Sequence, residues 1–391
     1  MRHQAFFYAA GNLLQRVYPV AETLLLTLLL PVEDFGRWSW AASFYMGMMS
    51  VAHGGIPAAT LRYAAVHRGE GVAVLRLALH KLFFWMGGGG LGLFLLGWTI
   101  PMNVRWLVWA HVPTLIGTLV GEAVRSYLRG HLEDRKIFFW QLLSSLTGLL
   151  VTGTLTWSRG IQGTMWARLI QPVWGLYPIA GLLWKTFQGP SALLVGFGRF
   201  GWTALWGNLA MEAIFILPTW FLGWAGASPE IIAYWRWATV IPFAMRGLIA
   251  QVVMYFYPLW VQRQASSWEI YRRFFFFLHA IGGIGAFGLS IVTVGWESFP
   301  GEAYMPALPY YWGAVAVSYL WSTEALAVPN ILSAKGRIHL FSRAYIGGLA
   351  VAVSFYGLAG QNLWMYLIGM GGAAVVAGGI GLWYARREGK V

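Results

Sequence analysis

Residues 5–30 read AFFYAAGNLLQRVYPVAETLLLTLLL, a mostly apolar segment with one cation, Arg16, near its middle. About 20 apolar residues in a helix cross the hydrocarbon core of a bilayer, so this segment is long enough to span it. A charge at that depth costs about 2.5–3.5 kcal/mol on insertion scales and therefore needs a partner or a wet cavity. The presence of Arg16 at this depth therefore argues against a simple membrane anchor and for a protein that handles polar groups inside the membrane.

The composition of the whole chain indicates an all-α polytopic membrane protein. Of its 391 residues, 58% are hydrophobic and only 10% are charged, and the mean hydropathy is +0.59. Soluble globular proteins carry about 25% charged residues. The strict two-residue alternation of a transmembrane barrel is missing from the sequence. Cysteine is absent, which excludes disulfides and thiolate metal sites, and we expect neither a metal nor a cofactor.

Breaks between apolar segments predict twelve spans. The first is too long for the core of a signal peptide, so we expect it to be retained. We predict two six-helix bundles around a central cavity, with domains at 1–188 and 189–391. The predicted spans are 5–30, 37–59, 74–99, 104–127, 138–157, 163–184, 198–223, 231–257, 274–295, 306–331, 339–358 and 362–385.

The basic residues are distributed asymmetrically between the two sides. Of the 27 Lys and Arg residues, 20 fall in one alternate set of breaks, and Arg16 and Arg246 lie inside spans. The opposite set holds Arg37, Arg105, Arg159, Arg168 and Arg236. Because basic residues mark the cytoplasmic side, both termini are predicted to be cytoplasmic, which requires an even number of spans. We predict a bacterial inner (plasma) membrane location, and topology explains the net charge of +13 better than nucleic-acid binding does.

A faint internal repeat relates the two halves. Residues 11–13 (GNL) in the first span recur as residues 207–209 in the seventh, six spans later. An even shift predicts parallel repeats, as found in some transporters, although two short matches can also arise by chance. The alignment sets Arg16 opposite Glu212. Asn12 and Asn208 each lie four residues before these charges, so each pair occupies one helix face.

Each charge inside a span has a functional and a structural interpretation. Arg16 and Arg246 are candidates for an anion-binding cavity, because guanidinium recognises phosphate or pyrophosphate in a bidentate manner. The alternative is an internal salt bridge that only fastens helices. Glu212 and Glu324 are candidates for coupling to an ion gradient, or they neutralise a nearby Arg. Glu22 belongs to the same class, with simple solvation as a further alternative because it lies nearer the outer end.

Arg62 lies just beyond the second span. It is either a positive-inside anchor or a gate residue that meets an anionic headgroup at the cytoplasmic side.

Catalytic motifs are missing from the sequence. No Walker loop and no His-Glu-x-x-His pattern is present. We find no loop above roughly 20 residues to hold the chemistry of a membrane enzyme. These observations argue against an enzyme of polysaccharide assembly, which remains the least favoured alternative.

Four segments resemble landmarks of the polysaccharide flippases in the multidrug/oligosaccharidyl-lipid/polysaccharide exporter superfamily. They are residues 30–38 (LPVEDFGRW), 55–64 (GIPAATLRYA), 127–130 (YLRG) and 332–337 (LSAKGR). Their order and spacing fit along essentially the whole chain.

This resemblance implies alternating access and export of a polyprenyl-pyrophosphate-linked oligosaccharide to the periplasmic leaflet. It places Arg16 and Arg246 at the pyrophosphate or at acidic sugars. The implied partners are the lipid-linked oligosaccharide, membrane lipids and other polysaccharide-assembly proteins, and no nucleic acid. A multidrug or organic-cation antiporter of the same superfamily is the closest alternative; it would need an acid-dominated cleft in the first bundle.

Overall fold

The computed structural model describes residues 2–67, 72–188, 196–262, 265–291, 293, 301–335 and 337–388. Within its helices, the side chains of residues 2–6, 8, 9, 12, 16, 204, 251, 252, 254–259, 261, 262 and 338 lie outside the description. Asn12 and Arg16 are therefore placed on their helix without their side chains.

The described residues form helices joined by short turns. The helices are α1 (Arg2–Leu29), α2 (Val32–Ala52), α3 (Ile56–Val66), α4 (Val72–Trp98), α5 (Met102–Gly130), α6 (Asp134–Leu176), α7 (Ala180–Thr186), α8 (Phe197–Trp224), α9 (Pro229–Gln262), α10 (Ser267–Ile291), α11 (Leu308–Ser322), α12 (Glu324–Ala334), α13 (Ile338–Ala359) and α14 (Leu363–Glu388).

These helices follow the twelve predicted spans. The second span consists of α2 and α3, and the tenth consists of α11 and α12. The fifth and sixth spans share α6, which turns back at Gly160 (φ 57°, ψ −140°). Glycine adopts a positive φ without a steric cost. Across this turn the hydroxyls of Thr156 and Thr164 are 2.9 Å apart, so α6 is a hairpin of two spans.

Seven stretches of helix in the described residues are long and apolar enough, by length and composition, to cross a membrane, with 134–186 counted as one stretch. The chain is a multi-pass membrane protein. Its contacts divide it into two compact units, 1–205 and 206–391, and the division falls within α8. The predicted domain boundary at 188/189 stays a prediction.

In the first unit, α1 packs in parallel along the first half of α6. The ring centroids of Phe7 and Phe138 are 5.5 Å apart. Further along, a Cβ on Gly11 would lie 3.2 Å from the amide oxygen of Gln141. Leu25 packs on Gly153 near the far end. Contacts that advance together along both helices mean that the first and fifth spans run in the same direction, as alternating crossings require.

The second unit repeats this packing between α8 and α13. Gly207, the counterpart of Gly11 in the repeat, lies directly against the ring of Phe341. About two turns further along α8 and four turns further along α13, the hydroxyl of Tyr356 donates to the carbonyl of Ile214 over 2.7 Å. The seventh and eleventh spans are therefore also parallel, and the repeated glycine has the same role in both units. This agreement supports the repeat over a chance match.

Candidate functional site

A buried ion pair joins α1 to the second half of α6 in the first unit. The guanidinium of Arg168 lies 2.6 Å from the carboxylate of Glu22. The two residues are only 7% and 6% exposed. Removing two charges from water is costly, and their attraction offsets this cost only when further hydrogen bonds satisfy the remaining polar atoms. The surroundings of the pair supply such bonds.

Three neighbours donate to or accept from these two residues, while the Nε of Arg168 has no hydrogen-bond partner among the described residues. Tyr18 donates its hydroxyl to Glu22 over 3.1 Å. On the other side, Arg168 donates to the amide oxygen of Gln171 over 2.9 Å. The hydroxyl of Thr114 on α5 donates to the main-chain carbonyl of Arg168 over 2.7 Å. The cluster thus fastens α1, α5 and α6 together with its charges compensated.

These contacts exclude one of the alternatives for Glu22. Solvation is wrong, because α1 and α6 enclose the carboxylate. The residue has the geometry of a charge pair, and a coupling role stays a prediction. The sequence analysis assigned Arg168 to a break between spans and not to a candidate site. The structure shows that it is buried, so it joins Arg16 and Arg246 as a third cation within the helices. The sequence did contain a signal for this pairing, namely the similar depth of the two residues in the membrane. At 1.5 Å per residue, Glu22 and Arg168 lie about 12 and 8 Å from the outer ends of their predicted spans.

In the second unit, Arg246 on α9 lies over an aromatic cluster. Its guanidinium carbon is 3.7 Å from the ring centroid of Phe215 on α8. The Phe215 ring in turn contacts Phe243 and Trp321, each with centroids 5.0 Å apart. A cation over an aromatic face gains about 0.5–2 kcal/mol, more where water is excluded. Arg246 is therefore held by packing as well as by charge.

Glu212 belongs to the same neighbourhood. Both Glu212 and Arg246 are close enough to Tyr345 on α13 to act electrostatically on its hydroxyl. Tyr345 is fully buried, and its hydroxyl has no hydrogen-bond partner among the described residues. The predicted cation Arg246 and the predicted acid Glu212 thus both lie near Tyr345 in the second unit. The predicted pairing of Glu212 with Arg16 stays a prediction, because the Arg16 side chain lies outside the description.

Glu324 forms a second polar cluster in this unit, at the first residue of α12. Its carboxylate oxygen Oε1 accepts the hydroxyl of Tyr271 over 3.1 Å. The same oxygen lies 3.1 Å from Nε2 of His279. Both the carboxylate and the imidazole are more than a quarter exposed. The helix break at Thr323 sets Glu324 at the start of a new helix facing α10.

His279 contacts both its own helix and Glu324. Its Nδ1 lies 3.0 Å from the main-chain carbonyl of Phe275, and its Nε2 lies 3.1 Å from the Glu324 carboxylate. Acidic residues and histidines inside membrane spans are the usual members of proton relays in transporters. The cluster is therefore a candidate site for proton exchange.

Of the other predicted residues, Arg62 and Asn208 have side chains that the structure describes. Arg62 is exposed on α3, with its guanidinium 4.6 Å above the ring of Phe200. Asn208 is exposed on α8. The side chains of Asn12 and Arg16 lie outside the described residues. Within the part of the chain that the structure describes, no group of three or more His, Asp or Glu residues is arranged to hold a metal ion.

No family model and no curated protein matches the sequence. Solved structures match its fold along nearly the whole chain. One is described as the inward-facing conformation of a multidrug resistance MATE family transporter of the MOP superfamily. It has a TM-score of 0.73 and 15% identity, and the match covers 95% of this chain and 94% of that one.

Two further structures match over 98% of this chain and 93% of their own. The outward-facing conformation of a multidrug resistance MATE family transporter has a TM-score of 0.64 and 14% identity. The other, from Pyrococcus furiosus, has a TM-score of 0.66 and 15% identity. It is described as a MOP superfamily transporter in which a reverse polarity of the binding pocket suggests a different function. This chain therefore has the fold of these transporters.

Proposed function

We propose that this protein is a membrane transporter that moves organic solutes by alternating access and is not an enzyme. The observation that carries the proposal is the match of almost the entire chain to transporters of one fold, which are known in both inward-facing and outward-facing conformations. A likeness of fold is an argument by analogy, so the cargo must be argued from the charges of this chain.

Export of organic solutes in exchange for protons is the first candidate. Two of the three matching structures are described as multidrug transporters, which favours this function over the flippase predicted from the sequence. The cluster of Glu324, His279 and Tyr271 supports the exchange, because it sets an acid in contact with an imidazole and a phenol in a partly exposed site. In this proposal the cluster releases its proton when the solute binds and regains it on the other side.

Flipping of a lipid-linked oligosaccharide is the second candidate, and the charges of the first unit favour it. Each described carboxylate of that unit lies within 4.0 Å of a basic group. An organic cation would find no uncompensated acid among them. An anionic cargo instead would be attracted by Arg246 and Arg16, with Arg62 at the predicted cytoplasmic entrance. The partners would be the lipid-linked glycan and the membrane lipids of the bacterial inner membrane, with both termini cytoplasmic.

Transport by purified protein tests the first candidate. Proteoliposomes with an imposed pH gradient should accumulate ethidium, and Glu324→Gln should abolish the dependence on the gradient because the amide cannot exchange a proton. Glu302→Gln is the matched control, since Glu302 is exposed in the turn before α11. Gradient-driven transport by Glu324→Gln at the unaltered rate would contradict the coupling role.

Complementation separates the two cargoes. A strain blocked in translocation of a defined lipid-linked glycan should regain surface glycan if the protein is a flippase, and Arg16→Ala should then abolish export at normal protein level. If Arg16 and Glu212 pair, Arg16→Glu combined with Glu212→Arg should restore part of the function that either change removes. Ethidium transport without complementation would exclude the flippase, and the reverse result would exclude multidrug export.

A further inference from the structure

A cavity of about 960 Å³ lies in the first unit, and no residue of the charge clusters described above lines it. It is lined by the start of α4, the end of α5, the start of α6 and the segment from Pro178 to Lys185. Ligand-binding pockets in proteins usually enclose about 300–1,000 Å³, so this cavity is large enough for an extended organic molecule.

The cavity follows from a break in the sixth span. Tyr177–Ile179 forms a single 3-10 turn containing Pro178, and α7 begins after it. Beyond this turn, α7 packs against α4. Arg76 on α4 donates to the main-chain carbonyls of Thr186 and Gln188 at the end of α7 and thereby holds it there. Space is left between α7 and the α5–α6 corner.

The lining of the cavity combines an apolar wall with cations. Leu143, Ile179 and Leu182 contribute aliphatic surface. Arg135 and Lys185 are exposed at the cavity, and neither has a carboxylate partner among the described residues. Two more charges, Glu133 and Lys136, neutralise each other over 2.6 Å. The cavity therefore offers two positive charges, without a carboxylate partner in the described part of the chain, beside an apolar surface.

The surroundings place the cavity at the membrane interface. Both Arg135 and Lys185 fall in the breaks that are predicted to be cytoplasmic. Three aromatic residues of the same segment, Tyr177, Trp184 and Phe187, are 77%, 71% and 72% exposed. Exposed Trp and Tyr are typical of the headgroup level of a bilayer, where one side of the ring is apolar and the other is wet.

We propose that this cavity binds an anionic phospholipid of the surrounding leaflet. Its phosphate would be held by Arg135 and Lys185, and one acyl chain would lie along the wall of Leu143, Ile179 and Leu182. Free phosphate would use the cations but not the wall, and a zwitterionic lipid would use the wall but gain little from the cations. The site is separate from the proposed transport function and does not depend on it.

Native mass spectrometry of the full-length protein in detergent tests the charge requirement. Phosphatidylglycerol should bind more tightly than phosphatidylcholine, and inorganic phosphate should not displace it. Arg135→Gln with Lys185→Gln should weaken phosphatidylglycerol binding about tenfold or more, since each cation near a membrane surface contributes about 1 kcal/mol. The control is Arg272→Gln with Arg273→Gln, which removes two exposed cations of α10 from the same predicted side.

A second pair of variants tests the cavity itself without removing any interaction. Gly181 lines the cavity and has open space where a Cβ would lie. Gly181→Leu should therefore fold normally, fill part of the cavity and weaken phosphatidylglycerol binding. Gly357→Leu on α13, where a Cβ also meets open space, should leave binding unchanged.

Four results would overturn the proposal. They are equal binding of the two lipids, displacement by inorganic phosphate, no loss in the double variant relative to its control, and no loss in Gly181→Leu.

Discussion

The ion pair of Glu22 and Arg168 makes the sharpest prediction about stability. Arg168→Gln removes the guanidinium and leaves the carboxylate in a site that is only 6% exposed, with Tyr18 as its remaining donor. Removing one partner of a buried ion pair typically costs about 3–5 kcal/mol. At about 2–4 °C per kcal/mol for a domain of 150–250 residues, the Tm should fall by roughly 6–20 °C.

The double variant Glu22→Gln with Arg168→Gln should recover most of this loss. Replacing both charges leaves no ion buried without a partner, and such replacements are often nearly neutral. Thermal unfolding of the purified protein in one detergent, followed by tryptophan fluorescence, measures all variants. Glu122→Gln is the control, because its pairing with Arg125 spans one turn of α5 and is more exposed, so it should cost less than about 1 kcal/mol.

Two outcomes would refute this reasoning. One is a Tm for Arg168→Gln that is no lower than that of Glu122→Gln. The other is a double variant whose loss equals the sum of the two single losses, because additivity is the behaviour of sites that do not interact.

Two further predictions concern packing in each unit. Arg246→Ala should lower the Tm by several degrees, because it removes a guanidinium 3.7 Å above Phe215 worth up to about 2 kcal/mol; a Tm unchanged in Arg246→Ala would show that the contact contributes nothing. Gly55→Ala should prevent stable accumulation in membranes, because Gly55 has a φ of 68° and its Cβ would overlap the carbonyl of Gly201. Gly87→Ala, with open space at its Cβ, should accumulate normally, and equal levels of the two variants would contradict the role of Gly55.

The spans could be predicted from the sequence because their signals are one-dimensional. Hydrophobic length and the asymmetry of Lys and Arg depend only on position along the chain, and they yield the twelve spans that the helices follow. The break at Gly160 also carries a local signal, since it falls in the polar stretch between two apolar segments. The break at Thr323 was not predicted, because no glycine or proline stands at that position. The apolar pattern of residues 306–331 is also continuous and indicates a single helix.

The partners of the charged residues were harder to predict, for a geometric reason. Depth in the membrane can be counted along the sequence, but the rotation of each helix about its axis is set by packing against its neighbours. Glu22 and Arg168 share a depth, and so do many residues that never meet. Glu324 was predicted as an acid inside a span, whereas its contacts with Tyr271 and His279 depend on how α10 faces the start of α12.

The link between α1 and the end of the α6 hairpin also has a consequence for biogenesis. Glu22 enters the membrane with the first span, whereas Arg168 is synthesised about 150 residues later, which at about 5–20 residues per second is a delay of roughly 7–30 s. Until then the carboxylate lacks its cation, and an unpaired charge inside the membrane is costly. We expect chains truncated before residue 160 to be degraded faster than chains that include the whole hairpin, and Glu22→Gln to remove that difference.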